Sequence, residues 1–188
     1  MTDTKILNRM IDFAPSIIAR YGKARARCIV STAIGCDVLD HFGITADPFP
    51  VLVQIVNSAF VAAQRRGADP VTAIARGGHI LTIDPDRHTD PDGWPGHLMI
   101  HVPRCQVLID LDFQQFDRPR QSIHADAAEV LPWPTGTTSR TFQDPSGAQL
   151  LIEATTDFTF VRSGDWHDRS KRAAIVAEVI RAITKNRL

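Results

Sequence analysis

The stretch Gly96–Phe116, GHLMIHVPRCQVLIDLDFQQF, decides how the rest of the chain is read. Its flanks, His97–Val102 and Gln106–Phe113, are rich in branched and apolar residues and enclose Pro103-Arg104-Cys105. That pattern predicts two antiparallel strands joined by a short turn. The simplest hairpin on Arg104 and Cys105 sets His97 opposite Asp112 and Met99 opposite Asp110. Side chains alternate across a strand, so His97, Met99, His101, Asp110 and Asp112 share one face. A longer turn shifts this register, which leaves both aspartates open as partners of His97. A histidine that opens a strand just after Gly93-Trp94-Pro95-Gly96 stands at the rim of a sheet, where a substrate can reach it.

Working outward, Thr4 to about Tyr21 puts Ile6, Leu7, Met10, Ile11, Ala14, Ile17 and Ile18 on one helical face. Pro15 predicts a kink there, or two short helices. Cys28–Phe42 reads as a second, buried helix through Val30, Ala33, Ile34, Val38 and Phe42, stopped by Gly43. Val51–Asn57, behind Pro48 and Pro50, reads as a strand that extends toward Ala63. Residues 64–93 are rich in Gly and Pro and are expected to form an insertion or flexible loop, with a short helix near Pro70–Arg76. Downstream, Arg118–Ser139 reads as a loop, and Arg140–Gln143 and Gln149–Phe160 as a hairpin turning at Asp144-Pro145-Ser146-Gly147. Ser170–Lys185 reads as an amphipathic helix. Helices, then antiparallel strands, then a helix make an α+β plan, expected as one domain over residues 1–188.

Composition narrows the function classes. The 188 residues are 44% hydrophobic and 22% charged, as in an ordinary globular chain. Twenty-one basic residues balance twenty-one acidic ones, which argues against a nucleic-acid partner despite Arg25, Arg27, Arg65 and Arg66. The 17 Arg against 4 Lys reflect base composition before they reflect anion binding. No apolar run approaches the roughly 20 residues of a membrane span, and the start lacks the basic-then-apolar order of a signal peptide. Cys28, Cys36 and Cys105 include no Cys-x-x-Cys pair, which fits free thiols and a cytoplasmic location. Gly77-Gly78 lacks the Lys that a phosphate loop requires.

Cys28 opens its helix, where the positive end of the dipole favours the thiolate, and Lys23, Arg25 and Arg27 push the same way. Cys36 falls in the helix interior as a small hydrophobe, and Cys105 falls in a turn. A nucleophilic cysteine needs an imidazole, and the imidazole needs a group to orient it. His97 and a strand-borne aspartate supply both; His101, deeper in the strand, is the rival base.

This order, Cys at a helix start, His at a strand start and Asp on the next strand, resembles the papain-like and transglutaminase-like cysteine enzymes. More narrowly, Gly96-His97 followed by Val107–Phe116 is similar to bacterial and phage proteins of that superfamily with a Gly-His strand and an Asp-x-Thr-x-x-Gln-Phe pattern. The resemblance spans about residues 24–119. It implies a papain-like fold, with the Cys-bearing helix packed on an antiparallel sheet that bears His and Asp. It also implies a catalytic Cys28, His97 and Asp110, with Asp112, standing where the pattern has Thr, as the alternative acid. A turn one pair longer, or a bulge, would bring Asp110 to His97. The activity implied is acyl transfer or amide hydrolysis through a thioester on Cys28, on a peptide, protein or small acyl or amide substrate and with no cofactor.

The Cys28 backbone N–H is the natural oxyanion donor. Ala19–Arg27 holds no Gln or Asn to add a second, so Gln54 and Asn57 are the substitutes, with Trp94 as a wall of the cleft. Two other readings compete. A degenerate papain-like fold would serve as a protein-binding module. A metal-dependent hydrolase would use His79, His88, His97 and His101 with Asp84, Asp86, Asp90 and Asp92. Against the metal, His97 and His101 on one strand stand about 13 Å apart at roughly 3.3 Å per residue, too far to share an ion.

Overall fold

The computed structural model describes residues 1–20, 27–83 and 96–185, with Arg27 and Asp165 by backbone alone. The predicted hairpin is present as β3 (His97–Val102) and β4 (Val107–Asp110). Its register, Ile100 with Ile109, His101 with Leu108 and Val102 with Val107, is that of the simplest hairpin. Residues 103–106 make the connection, and Gln106 closes it in the left-handed region at φ 55°. β4 is shorter than expected, because the chain leaves the sheet after Asp110 and coils into a 3₁₀ turn over Phe113–Phe116.

β1 (Asp47–Val56) is the central strand. Its partners are β2 (Ile80–Ile83), β3 and β7 (Gln149–Ala154), all antiparallel. β3 takes Asp47–Val51 and β2 takes Val53–Val56, so the two lie end to end along one edge of β1 while β7 lines the other. β1 starts earlier than the sequence predicted, running through Pro48 and Pro50. Pro50 turns its carbonyl toward Thr155 on the β7 side, where strand pairing has already ended at Val51 and Ala154. The two missing N–H groups therefore break no ladder bond. β5 (Glu129–Pro132) and β6 (Ser139–Gln143) complete the seven-stranded order β5-β4-β3-β1-β7-β6, with β2 beside β1.

Three helices pack on one face. They are α1 (Asp3–Arg20), α2 (Arg27–His41) and, near the C-terminus, Arg169–Lys185. Their apolar stripes meet Ile100, Val102, Ile109 and Leu111 in a single core. The first helix is continuous through Pro15, not the two short helices allowed by the sequence. The opposite face buries Val51, Val53, Met99 and Leu108 beneath Phe113, Phe116 and Trp133. Three expectations are corrected. Ser58–Arg65 is a helix, α3, and not an extension of β1, because the Asn57 carboxamide accepts from Phe60 N–H and caps it. Residues 64–83, expected as loop around a short helix near Pro70–Arg76, carry that helix as α4 (Pro70–Ala75) and also a strand, β2, while residues 84–93 of the expected loop or insertion lie outside the described residues. The loop Arg118–Ser139 contains β5. The remaining helices are α5 (Gly164–His167) and α6, the Arg169–Lys185 helix already described. No described helix is long and apolar enough to cross a membrane.

Candidate active site

Cys28 is the second residue of α2, and the residue is buried, 7% exposed. The first N–H groups of a helix have no partner within it, so this end carries free donors and partial positive charge. α2 runs in step with β3. The Thr32 hydroxyl donates to the Leu98 carbonyl at 2.9 Å. Gly35 lies so close to Ile100 that an added Cβ would come within 2.2 Å of its Cδ1. Seven helical residues rise about 10.5 Å and three strand steps about 10 Å, so Cys28, one turn before Thr32, meets the start of the strand. His97 is that start.

The imidazole of His97 is fully buried. Its Nε2 donates to Asp110 Oδ2 at 2.6 Å, a length typical of a charge-assisted bond. The other carboxylate oxygen, Oδ1, accepts from the Asp112 backbone N–H at 2.8 Å. With Nε2 engaged, Nδ1 is the ring nitrogen left to face Cys28, whose side chain acts to raise the His97 pKa. Burial alone would depress the His97 pKa, but the charge and hydrogen bond of Asp110, joined by those of Cys28, hold it up at about 10. The Phe116 ring stands edge-on to the imidazole at 4.9 Å and fixes its plane.

The choice between the aspartates follows from where β4 stops. In the observed register His97 would face Asp112, but the strand ends at Asp110 and Asp112 sits on the departing turn. His97 reaches its diagonal neighbour instead, a separation that a long side chain spans. Neither a longer turn nor a bulge is needed. The residue opposite by register and the residue in contact are different residues, and Asp112 contributes its backbone N–H.

Gln115 was not singled out by sequence reasoning, although it stands in the Gln115-Phe116 pair of the quoted motif. Its Nε2 donates to the Asp112 carbonyl at 3.1 Å and lies 3.5 Å from His97 Nδ1. Gln54 and Asn57, the expected amide donors, are not brought to Cys28. Gln54 donates to Thr82 on β2. Asn57 donates to the Gly77 and Gln121 carbonyls and accepts from the Phe60 and His79 N–H groups, which fills its hydrogen-bonding capacity. Trp94, Lys23 and Arg25 lie outside the described residues.

His101 is half-buried, with its ring 5.2 Å from Phe49 and its pKa lowered by burial against a smaller opposing pull from Asp47. Cys36 is pushed up to about 12, first by burial and then by Asp37 and Asp47, with Arg172 opposing. Among the described residues no group of three or more His, Cys, Asp or Glu is arranged to hold a metal; His88 and Asp84–Asp92 lie outside them.

No family model and no curated protein matches the chain. A solved structure described as a genomics crystal structure is similar over 100% of this chain and 82% of its own, with a TM-score of 0.51 and 13% identity. Likeness at that identity bears on the fold alone. The chain is an α+β protein, an antiparallel sheet with helices packed on it.

Proposed function

We propose that this protein is a cysteine-dependent acyl-transfer or amide-hydrolysing enzyme on a papain-like or transglutaminase-like fold, with Cys28 as nucleophile, His97 as base and Asp110 as the acid that orients it. The observation that carries the reading is a fully buried imidazole held by a carboxylate next to a helix-opening cysteine. A carboxylate lies 2.6 Å from Nε2, and Cys28, the second residue of its helix, acts on the same ring to raise its proton affinity. In this reading Nδ1 takes the Cys28 proton and the sulfur attacks a carbonyl carbon. The C–S bond forms, the carbonyl electron pair moves to oxygen, and the collapse expels an amine or alcohol that leaves with the proton from His97. Water or an amine then attacks the thioester, His97 accepts its proton, and the C–S bond breaks to restore the thiol. The substrate is a peptide, protein or small acyl or amide compound.

The test is to incubate the full chain with p-nitrophenyl acetate and locate the acetyl group by mass spectrometry of its peptides. The reading predicts a thioester on Cys28, absent in Cys28→Ala and in His97→Gln. Acetylation confined to lysines, or equal on all three cysteines, would favour the binding-module reading.

A further inference from the structure

We propose that Gln115 is the second oxyanion donor of the Cys28 site, its carboxamide N–H joining the Cys28 backbone N–H around the carbonyl oxygen of a bound ester, thioester or amide. The inference rests on the acyl-transfer reading and deepens it.

The amide is aimed by its own turn. The Asp112 carbonyl accepts twice from Gln115, from the backbone N–H at 3.0 Å and from Nε2 at 3.1 Å. A carbonyl oxygen only accepts, so this double contact selects the NH2 end of the carboxamide and turns it toward the site. One of the two N–H bonds is held there. The other lies with its nitrogen 3.5 Å from His97 Nδ1, beyond the length of a strong hydrogen bond.

That second N–H is therefore loosely held on the Nδ1 side of the ring, opposite the nitrogen that Asp110 engages. Once Nδ1 has taken the thiol proton it has no lone pair to accept with, and the N–H needs another acceptor. The oxygen that gains charge when sulfur attacks a carbonyl lies two bonds from that sulfur, within the range of a donor beside the imidazole that takes the thiol proton. The raised proton affinity of His97 acts in the same direction. The described carboxyls near the imidazole, Asp110 and, behind it, Asp112 and Glu129, cannot stabilise an oxyanion when ionised. Gln54 and Asn57 are engaged elsewhere, and Ala19–Arg27 contains no amide side chain. Gln115 fills the role the sequence left without a residue.

The test compares two reactions of the same sulfur. Iodoacetamide is displaced at an sp3 carbon and builds no oxyanion. p-Nitrophenyl acetate adds sulfur to a carbonyl, passes the π electrons to oxygen and expels p-nitrophenolate. Gln115→Met, of similar size with no donor, and Gln115→Glu, of equal reach, are checked for folding by circular dichroism. Both should lose about 100-fold in acylation rate at Cys28, with alkylation changed less than about 3-fold. Equal losses in both reactions, or unchanged acylation, would overturn the proposal; if Gln115→Met does not fold, Gln115→Glu decides. Wild-type Cys28 that is alkylated but never acylated would instead defeat the acyl-transfer reading, and this inference with it, before any variant is compared.

Discussion

α2 and β3 carry the same pair of residue types at two places: Cys28 and His97 at their beginnings, Cys36 and His101 further along. The two places have opposite electrostatics. At the beginning, burial is overruled by Asp110 and His97 is held up at about 10. Further along, burial wins: His101 is lowered, and Cys36 is pushed up to about 12 by burial with Asp37 and Asp47 beside it. A buried histidine prefers to be neutral unless a carboxylate touches it, and a buried thiol stays a thiol when its neighbours are acids. One diagonal contact across a hairpin separates a histidine whose pKa is raised from one whose pKa is lowered.

The largest effects should come from breaking the first pair. His97→Gln is expected to lower acylation of Cys28 by about 1,000-fold or more, whereas His101→Gln changes it by less than about 3-fold. The measurement is the rate of p-nitrophenolate release at pH 7. Comparable losses in the two variants would erase the distinction between the two places.

Next in size, Asp110→Asn should cost roughly 100- to 10,000-fold in the same assay, because an amide at Nε2 neither fixes the tautomer nor stabilises the imidazolium. Asp112→Asn keeps the backbone N–H that supports Asp110 and should lose less than about 10-fold. An order reversed between these two would return the role to the residue that the strand register puts opposite His97.

A smaller effect tests the in-step packing of α2 on β3. Alanine at Gly35 gains about 1 kcal/mol in helix propensity, but its Cβ would meet Ile100 Cδ1 at 2.2 Å inside a core with no exposed surface. Overpacking of this kind costs about 1–3 kcal/mol, so Gly35→Ala should be destabilised by about 1 kcal/mol in urea unfolding, with slower alkylation of Cys28. Thr32→Val, which removes the bond to the Leu98 carbonyl, should lose about 1–2 kcal/mol. A gain in stability for Gly35→Ala would mean the two elements are not held at contact.

The pH dependence is the subtlest comparison. His97 is raised in the folded state, so its contribution is fully present below its unfolded value near 6.5 and is lost as pH rises through about 10. Wild-type protein should therefore lose stability relative to His97→Gln between about pH 6.5 and 10, measured by urea midpoints. Parallel curves for the two proteins would remove the Asp110 contact from the account.

The hairpin from His97 to Asp110 was legible because its short, ordinary strands show their period, although the length of the turn left the register, and with it the aspartate, open. Helix-opening Cys28 was legible from the apolar stripe behind it. What stayed hidden has physical causes. Asp110 was named by the resemblance and not by the strand register, because its contact depends on β4 ending three residues before the expected Phe113, which the apolar Leu111 and Phe113 disguise in the sequence. β2 and β5 are four residues each and half-buried for the most part, too short to display a period, and β5 ends on Pro132. β1 was clipped at its prolines because tolerance of Pro48 and Pro50 depends on where β7 stops, a fact about another strand. Asn57 looked like an amide available for chemistry, and its capping of α3 was masked by the branched and apolar run after it. Gln115 acquires meaning only once the 3₁₀ turn folds it back onto Asp112.

The most direct test of the central claim, that Cys28 and His97 act as one unit, is the rate of alkylation by iodoacetamide at each cysteine from pH 5 to 10, in wild type and in His97→Gln, with the sites separated by peptide mass spectrometry. The account predicts that at pH 7 wild-type Cys28 reacts at least about 10-fold faster than Cys36, and at least about 10-fold faster than Cys28 in His97→Gln. Superimposable Cys28 profiles in the two proteins would contradict it.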